Sequence, residues 1–440
     1  MDDDNQPATV TGRTRYALCG LSVRGISVFA GPLLGRPDRP PIAPDTAPYA
    51  DAGELVAILD RDADRVEQYR VAVDAKVPWY SPEQFDRMVT ETRPDVILVA
   101  TPDHTHVDYV LSGLTAGLDV IVEKPMVTSA EDAARVIAAA QDSPGTVRVT
   151  HNLRYAPRHQ RLRQLIADGA VGRVTSVELV WNVGARHGAS YFRRWNRTRA
   201  RSGGLSIHKS CHHFDLVGWL IDAVPEQVFA YGARNFFGAD SPHNPGRELT
   251  AAERTEADPY RWYETASAAD AGPVRDSVGL SYPDQYPQRL SAYDPEIDIE
   301  DTYSVVVRYR GGASLNYSIQ FSAPWEGYRL AVNGTHGRLE TDLYYDVEPL
   351  PPAGSTPITH YPLFGAGRAY PVDGEDTGHL GADPLLVADL FRPTGDDPLG
   401  CRADAQAGAY AVAVGEAVWR SIKDNRPVNI ADLLRTEAGG

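Results

Sequence analysis

Four short stretches of the chain hold side chains at spacings that suit chemistry. The densest is Gly203-Gly204-Leu205-Ser206-Ile207-His208-Lys209-Ser210-Cys211-His212-His213-Phe214-Asp215. His208 and His212 stand at i and i+4, on one face of a helix, as two imidazoles do in some zinc helices. No H-E-x-x-H accompanies them, and no metal is expected. His213 suits a place facing away, between helix and sheet. The second stretch is Gly20-Leu21-Ser22-Val23-Arg24-Gly25, which matches the dinucleotide fingerprint G-x-G-x-x-G with Ser22 in the middle glycine's place. The first glycine makes the tight turn, the middle one admits the pyrophosphate, and the last lets helix and strand pack closely. A plain glycine turn between strand and helix would read the same way. Asp60, at the end of a later apolar run, is the acid type that binds adenosine ribose hydroxyls. The third stretch is Ala100-Thr101-Pro102-Asp103-His104-Thr105-His106, and the fourth Val122-Glu123-Lys124-Pro125. Asp103 equally suits a helix N-cap, and His106 a partly buried structural histidine.

The elements that must hold these residues are legible from periodicity. Tyr16–Cys19, Glu54–Asp60, Asp95–Ala100 and Asp119–Glu123 are apolar runs that read as buried strands. A helix is expected from Gly25 to just before Gly35. The stretch holding Pro37, Pro40, Pro41, Pro44 and Pro48 reads as an inserted surface loop. It lengthens the gap between Gly20 and Asp60 beyond the usual ~20 residues of the fingerprint. Val107, Val110, Leu111 and Leu114 share one helical face, as do Ala133, Val136, Ile137 and Ala140. Thr128 and Glu131 fit a capping box before the latter. Apolar strands alternating with amphipathic helices predict a doubly wound parallel sheet, and in such sheets ligands bind at the strand carboxyl ends.

Beyond residue 160 the period changes. Val174–Trp181 alternates, and two further alternating runs flank Gly311-Gly312, predicting an antiparallel hairpin. The expected organisation is a tail over 1–13, a doubly wound domain over 14–150, and an α+β domain over 151–440. The last carries a large, mainly antiparallel open sheet. An irregular insertion over about 235–298, rich in Pro, Asp and Tyr, suggests a functional cover or an oligomer arm.

The chain has 440 residues, 42% hydrophobic and 23% charged, ample for two packed cores. Its net charge of −16 disfavours nucleic acid as a partner. No apolar run approaches the ~20 residues that span a bilayer, so no membrane partner is expected. The start Met1-Asp2-Asp3-Asp4 lacks the pattern of a secretory signal. Three distant cysteines, Cys19, Cys211 and Cys401, form no disulfide framework and point to a cytoplasmic setting.

In their order, these motifs resemble those of the Gfo/Idh/MocA family of oxidoreductases, named for glucose–fructose oxidoreductase and inositol dehydrogenase. The resemblance rests on the Rossmann start, Thr101-Pro102 with His106, Glu123-Lys124-Pro125, Asn152 with Arg154, Gly203-Gly204, and His212 with Asp215. It covers about residues 15–222, and continues through Asn333-Gly334-Thr335 with Gly337 and a last helix ending near Pro427-Val428. It implies NAD as cofactor, held by Gly20, Ser22, Arg24, Gly25, Asp60, Arg61, Thr101, Pro102, Asp103, His106, Glu123, Lys124 and Asn152. Asp60 favours NAD over NADP, although Arg61 beside it is a type that accepts a 2′-phosphate. The resemblance makes Lys124 the group that reaches the substrate hydroxyl, where an ammonium stabilises a developing alkoxide. It makes His212 the general base, apt because imidazole titrates near working pH. Where the inositol dehydrogenase pattern has an aspartate, this chain has His208. That exchange, with Lys209 beside it, puts the usual acid–base pair in question at His208.

Substrate contacts are expected from Arg154 and Tyr155, from Arg194 and Trp195 after Tyr191, from Lys209, from Tyr328 within Trp325–Arg329, and from His379 of Gly378-His379 with Asp383. Aromatics with arginine suit sugar rings and anionic substituents, and equally suit a core. Three functions stay open. One is an NAD-dependent dehydrogenase of a sugar, sugar derivative or cyclitol. Another is an NAD-dependent glycoside hydrolase working by transient oxidation, elimination, water addition and re-reduction. The third is a non-catalytic cofactor-sensing protein. The resemblance also implies a homo-oligomer, dimer or tetramer, packed through the sheet face of Ser314, Asn316, Ser318 and Gln320, a face that equally suits lining the substrate cleft.

Overall fold

The computed structural model describes residues 12–36, 47–244, 249–250, 253, 278–281, 290–345, 354–374 and 379–435. Most of the proline-rich loop, much of the irregular insertion, and Gly378 lie outside the described residues.

The first sheet runs in the order Ala403–Asp404, Val147–Val149, Asp119–Val122, Val96–Val99, Thr14–Cys19, Gly53–Leu59, Trp79–Tyr80. Every pairing in it is parallel except the one made by Ala403–Asp404. Strands such as Val96–Val99 are buried on both faces, which explains their continuous apolar sequence. The order reverses at Thr14–Cys19, so a crevice opens there, outside the strand carboxyl ends. The helix after the glycine turn begins with a π-helical segment, Gly25–Ala30, and continues as α-helix through Leu34. The helix Ala130–Asp142 is capped by Ser129, whose Oγ accepts the Asp132 N–H at 3.1 Å. The expected cap at Thr128 is therefore one residue early.

The second sheet is large, open and mostly antiparallel. Its order is Arg368–Tyr370, Ile358–Pro362, Gly337–Tyr345, Glu326–Gly334, Val174–Gly184, Ser314–Ala323, Thr302–Tyr309, Pro225–Ala233, Val428–Asn429. Val174–Gly184 and Ser314–Ala323 are parallel neighbours within it. The hairpin forms as expected: Gly311 and Gly312 take φ of 87° and 90°, and Thr302–Tyr309 pairs antiparallel with Ser314–Ala323. One face of this sheet is buried under helices, including Cys211–Ile221. Of the described residues, no helix is long and apolar enough to cross a membrane.

The 20-residue helix Ala405–Asp424 joins the two sheets. Gly408 faces Met126, just past Lys124, and a Cβ there would stand 3.0 Å from Met126 Sδ. Gly415 faces the segment bearing His208, and a Cβ there would stand 2.5 Å from Ser206 O. Glu416 on the same helix accepts the Ala130 N–H at 2.6 Å. One rigid rod thus sets the spacing of the two chemical stretches. Gly415→Ala should overpack this contact and lower the unfolding free energy by about 1–3 kcal/mol. Denaturant unfolding measures this, and an unchanged midpoint would show that the helix can shift freely.

Candidate active site

The first-sheet strands deliver Gly20, Asp60, Thr101 and Glu123 to one crevice. Gly20 has φ +93°, and a Cβ on it would lie 2.7 Å from the Ala100–Thr101 backbone, so only glycine lets the two loops approach. A Cβ on Gly25 would strike the Gly20 carbonyl. Ser22 Oγ accepts the Gly25 N–H at 3.0 Å, so serine serves as a cap within the turn. Asp60 accepts N–H bonds from Leu21 (2.7 Å) and Asp62 (2.8 Å), which ties its carboxylate to the glycine turn. Burial raises the Asp60 carboxyl above its ordinary value. Arg61 is exposed. The ring of His106 is buried, with its nitrogens 2.8 Å from Thr101 O and Pro125 O, so it braces the third and fourth stretches. A side-chain-free turn against an acid at the end of the second strand suits a dinucleotide. Gly20, Ser22, Gly25 and Asp60 would hold it.

Arg24 bridges Glu123 Oε1 (3.0 Å from Nη2) and Asp383 Oδ2 (3.0 Å from Nη1). Asn152 Nδ2 donates to the other Asp383 oxygen at 2.9 Å, and His379 Nδ1 lies 2.7 Å from Oδ2. Burial pushes the Asp383 carboxyl up, but His379, Arg24 and Asn152 outweigh it and hold the group well below the usual carboxylate range. His379 is thereby placed beside Arg24 and Asn152, two residues expected at the cofactor.

The histidine stretch does not form one helix. The helix Leu205–His208 ends, and Cys211–Ile221 begins after Lys209 and Ser210. The expectation that His208 and His212 share a helical face is corrected: the break turns the two rings to different partners. His208 Nδ1 bonds Asp103 Oδ2, and its Nε2 lies 3.2 Å from Asn196 Nδ2. Burial lowers the His208 pKa and Asp103 opposes the shift. A neutral ring that donates to Asp103 and accepts from Asn196 meets both contacts. Asp103, expected at the cofactor or as an N-cap, is thus a buried partner of His208. Trp195 packs edge-on against that ring at 5.7 Å. Lys124 Nζ donates to the His208 carbonyl at 3.2 Å.

His212 Nδ1 is sealed without a hydrogen-bond partner among the described residues. Burial, then Lys124, Lys209, His151 and His213, hold its pKa well below the ordinary 6.5. His151 stands edge-on to it at 6.1 Å. Burial pushes His151 down to about 4, against Asp215. Sequence reasoning passed over His151, although it follows a first-sheet strand as Thr101 and Glu123 do. His187, bonded to Glu326 Oε1 at 2.8 Å, was also missed; a lone histidine after a strand gives no spacing signal. Lys209 lies 5.9 Å over the Trp181 ring, with its pKa lowered by burial and Glu326 opposing. His213 fills space between helix and sheet, stacked on Trp181 at 3.9 Å.

Other expected substrate residues have protein partners. Arg154 is buried with its fork closed on Asp215 (Nε to Oδ2 2.8 Å, Nη2 to Oδ1 2.6 Å) and its Nη1 on Gly400 O. Tyr155 bonds Asp389 at 2.8 Å and Arg148 at 2.6 Å. Tyr328 is fully buried, stacked on Trp181 with its hydroxyl 2.8 Å from His159. Arg194 folds back on Ser190, with Nη2 2.7 Å from its Oγ.

The model of the oxidoreductase family's NAD-binding Rossmann fold matches residues 15–151, and that of its C-terminal alpha/beta domain matches residues 163–430. The chain belongs to the Gfo/Idh/MocA family of oxidoreductases. Among Gfo/Idh/MocA relatives, YteT of Bacillus subtilis (strain 168) is 43% identical over 434 residues, spanning 95% of this chain and 98% of that one. Inositol 2-dehydrogenase of Rubrobacter xylanophilus is 30% identical over 185 residues, spanning 40% of this chain and 48% of that one. The aldose-aldose oxidoreductase of Caulobacter crescentus shares the fold, with TM-score 0.62 and 18% identity over 95% of this chain and 100% of that one. Family membership makes this chain an oxidoreductase with an NAD-binding Rossmann domain.

Two outcomes follow from the site. Arg154→Met should cost about 3–5 kcal/mol of stability, because it strands the buried Asp215 carboxylate; chemical denaturation reads this, and a loss under about 1 kcal/mol would contradict a closed ion pair. His212 accepts a proton only when neutral, and its depressed pKa keeps it neutral below 6.5. The acid limb of kcat/KM should therefore fall below pH 6.5, and a limb at or above that value would exclude His212 as the base.

Proposed function

We propose that the chain oxidises a hydroxyl-bearing carbon of a sugar, sugar derivative or cyclitol, with Lys124 and His212 as its reacting side chains and NAD rather than NADP as its cofactor. The observation that carries this reading is the pairing of Lys124, anchored through a single carbonyl, with a His212 kept unprotonated by burial and then by its cationic neighbours. Lys124 spends one N–H on His208 O and keeps the others for a substrate oxygen. It stabilises negative charge as the hydroxyl loses its proton, and His212 takes that proton. Gly20, Ser22, Gly25 and Asp60 would hold NAD, which would supply the hydride acceptor. Asp60 supports the choice of NAD, since a carboxylate tied to the glycine turn would repel a 2′-phosphate.

A second reading, redox-neutral glycoside hydrolysis, is favoured by Lys209, a desolvated ammonium close to His212 that simple oxidation leaves idle. A homo-oligomer fits the open sheet face, where exposed Val180, Val306 and Tyr231 lie among Asn316 and Gln320.

A panel of sugars, cyclitols and aryl glycosides, incubated with protein and NAD, tests both readings by NADH absorbance and released aglycone. Stoichiometric NADH is expected, and aglycone release without NADH would promote the second. Lys124→Met should lower turnover by ~10²-fold or more with NAD affinity nearly kept. Wild-type turnover in that variant would remove Lys124 from the reaction.

A further inference from the structure

On the far side of His208 and Lys209 lies a second set of proton-handling groups. Glu326 is buried, and both its carboxylate oxygens face His187 Nδ1, at 2.8 and 3.0 Å. This leaves His187 Nε2 to face the Tyr191 hydroxyl at 3.1 Å. Burial pushes the Glu326 carboxyl up, but His187 and Lys209 outweigh it and keep the group ionised. Carboxylate, imidazole and hydroxyl in this order form a relay in which the acid fixes the ring's tautomer and the ring can accept the hydroxyl proton.

The relay adjoins the segment that holds Lys124. Tyr191 stands edge-on to the His208 ring at 5.6 Å, and the His208 carbonyl holds Lys124. Lys209 feels Glu326 on one side, and His212 feels Lys209 on the other. Gly188, between His187 and Tyr191, lets their helix press onto the Phe321 carbonyl, where a Cβ would collide. The tyrosine itself is nearly buried, whereas the His187 side chain is 35% exposed. The relay therefore runs from a buried hydroxyl to a partly exposed imidazole.

We propose that Tyr191 is a second catalytic group, with His187 and Glu326 as its positioning residues, and that it moves a proton at the carbon next to the one oxidised. The proposal rests on the oxidation proposed above, because a ketone acidifies the adjacent C–H. The step balances without another reagent. The Tyr191 O–H proton passes to His187 Nε2, the C–H bond breaks, and its proton goes to the Tyr191 oxygen. The electron pair is held as the enediolate beside Lys124, and reversal returns a proton to carbon. In deuterium oxide the returned particle is a deuteron.

The experiment takes the panel sugar that gives most NADH, incubates it with NAD-loaded protein in deuterium oxide, and reads deuterium on recovered sugar and ketone by mass spectrometry. Wild type should incorporate deuterium at the carbon next to the oxidised one. Tyr191→Phe, which keeps the ring packing, should cut incorporation by at least ~10²-fold while single-turnover NADH formation and the unfolding midpoint hold. Glu326→Gln should cut incorporation more than NADH formation, a split that a purely structural role would not produce. Incorporation that survives Tyr191→Phe, or that falls only in step with NADH formation in both variants, overturns the proposal. If no compound of the panel gives NADH, released aglycone or deuterium incorporation, the oxidation itself falls, and the relay with it.

Discussion

A carboxylate on a loop of the first sheet meets an imidazole from a helix 105 residues further along the chain, and the site depends on that meeting. Asp103 follows the third buried strand of the first sheet, and His208 ends a short helix packed against the long helix Ala405–Asp424. Neither group would rest comfortably alone: a buried carboxylate without a partner is costly, and so is a buried polar ring. Together they pin the segment whose carbonyl anchors Lys124 and whose next turn presents His212. Asn196 and Trp195 close around the ring, so a further loop is drawn into the same arrangement.

The electrostatic consequence is a division of labour among imidazoles. His208 has an acid partner and an amide partner, and is held in place. His212 is buried, with cations around it and no acid bonded to it, and its pKa is held down for both reasons. As placed, the His208 ring is spent on Asp103 and Asn196. The lysines share this logic. Lys124 and Lys209 sit in a chain of net charge −16, yet neither forms a carboxylate ion pair among the described residues. They remain available to charge that develops on a bound molecule.

Much of the first sheet was legible because burial on two faces writes itself as continuous apolar strands, and because the glycine turn needs small residues for steric reasons. Gly20, Gly25, Asp60 and Lys124 were found that way or through the order of the motifs. Side-chain partners were not legible. Asp103 and His208 are 105 residues apart, and nothing in their spacing links them. Arg154 and Tyr155 read as cleft residues because they follow the first-sheet strands, but Asp215 and Asp389 from distant segments claim them. Tyr328 occupies a strand position whose inward face is core. The helix break at Lys209–Ser210 also escaped notice, because i, i+4 spacing says nothing about whether the helix continues through it.

The long helix Ala405–Asp424 bears on how such an enzyme could change its substrate. Its contacts at Gly408 and Gly415 involve backbone and the stems of neighbours, with no side chain of its own in between. The gap between Lys124 and the His212 segment is therefore fixed by main-chain thickness and is insensitive to ordinary drift in side-chain size. Variation that reshapes the surroundings of the proposed pair must fall on neighbouring segments, such as residues 187–195 and Glu326, while Lys124 and His212 keep their spacing. A scaffold of this kind can exchange one substrate for another without re-solving the geometry of the bond it breaks.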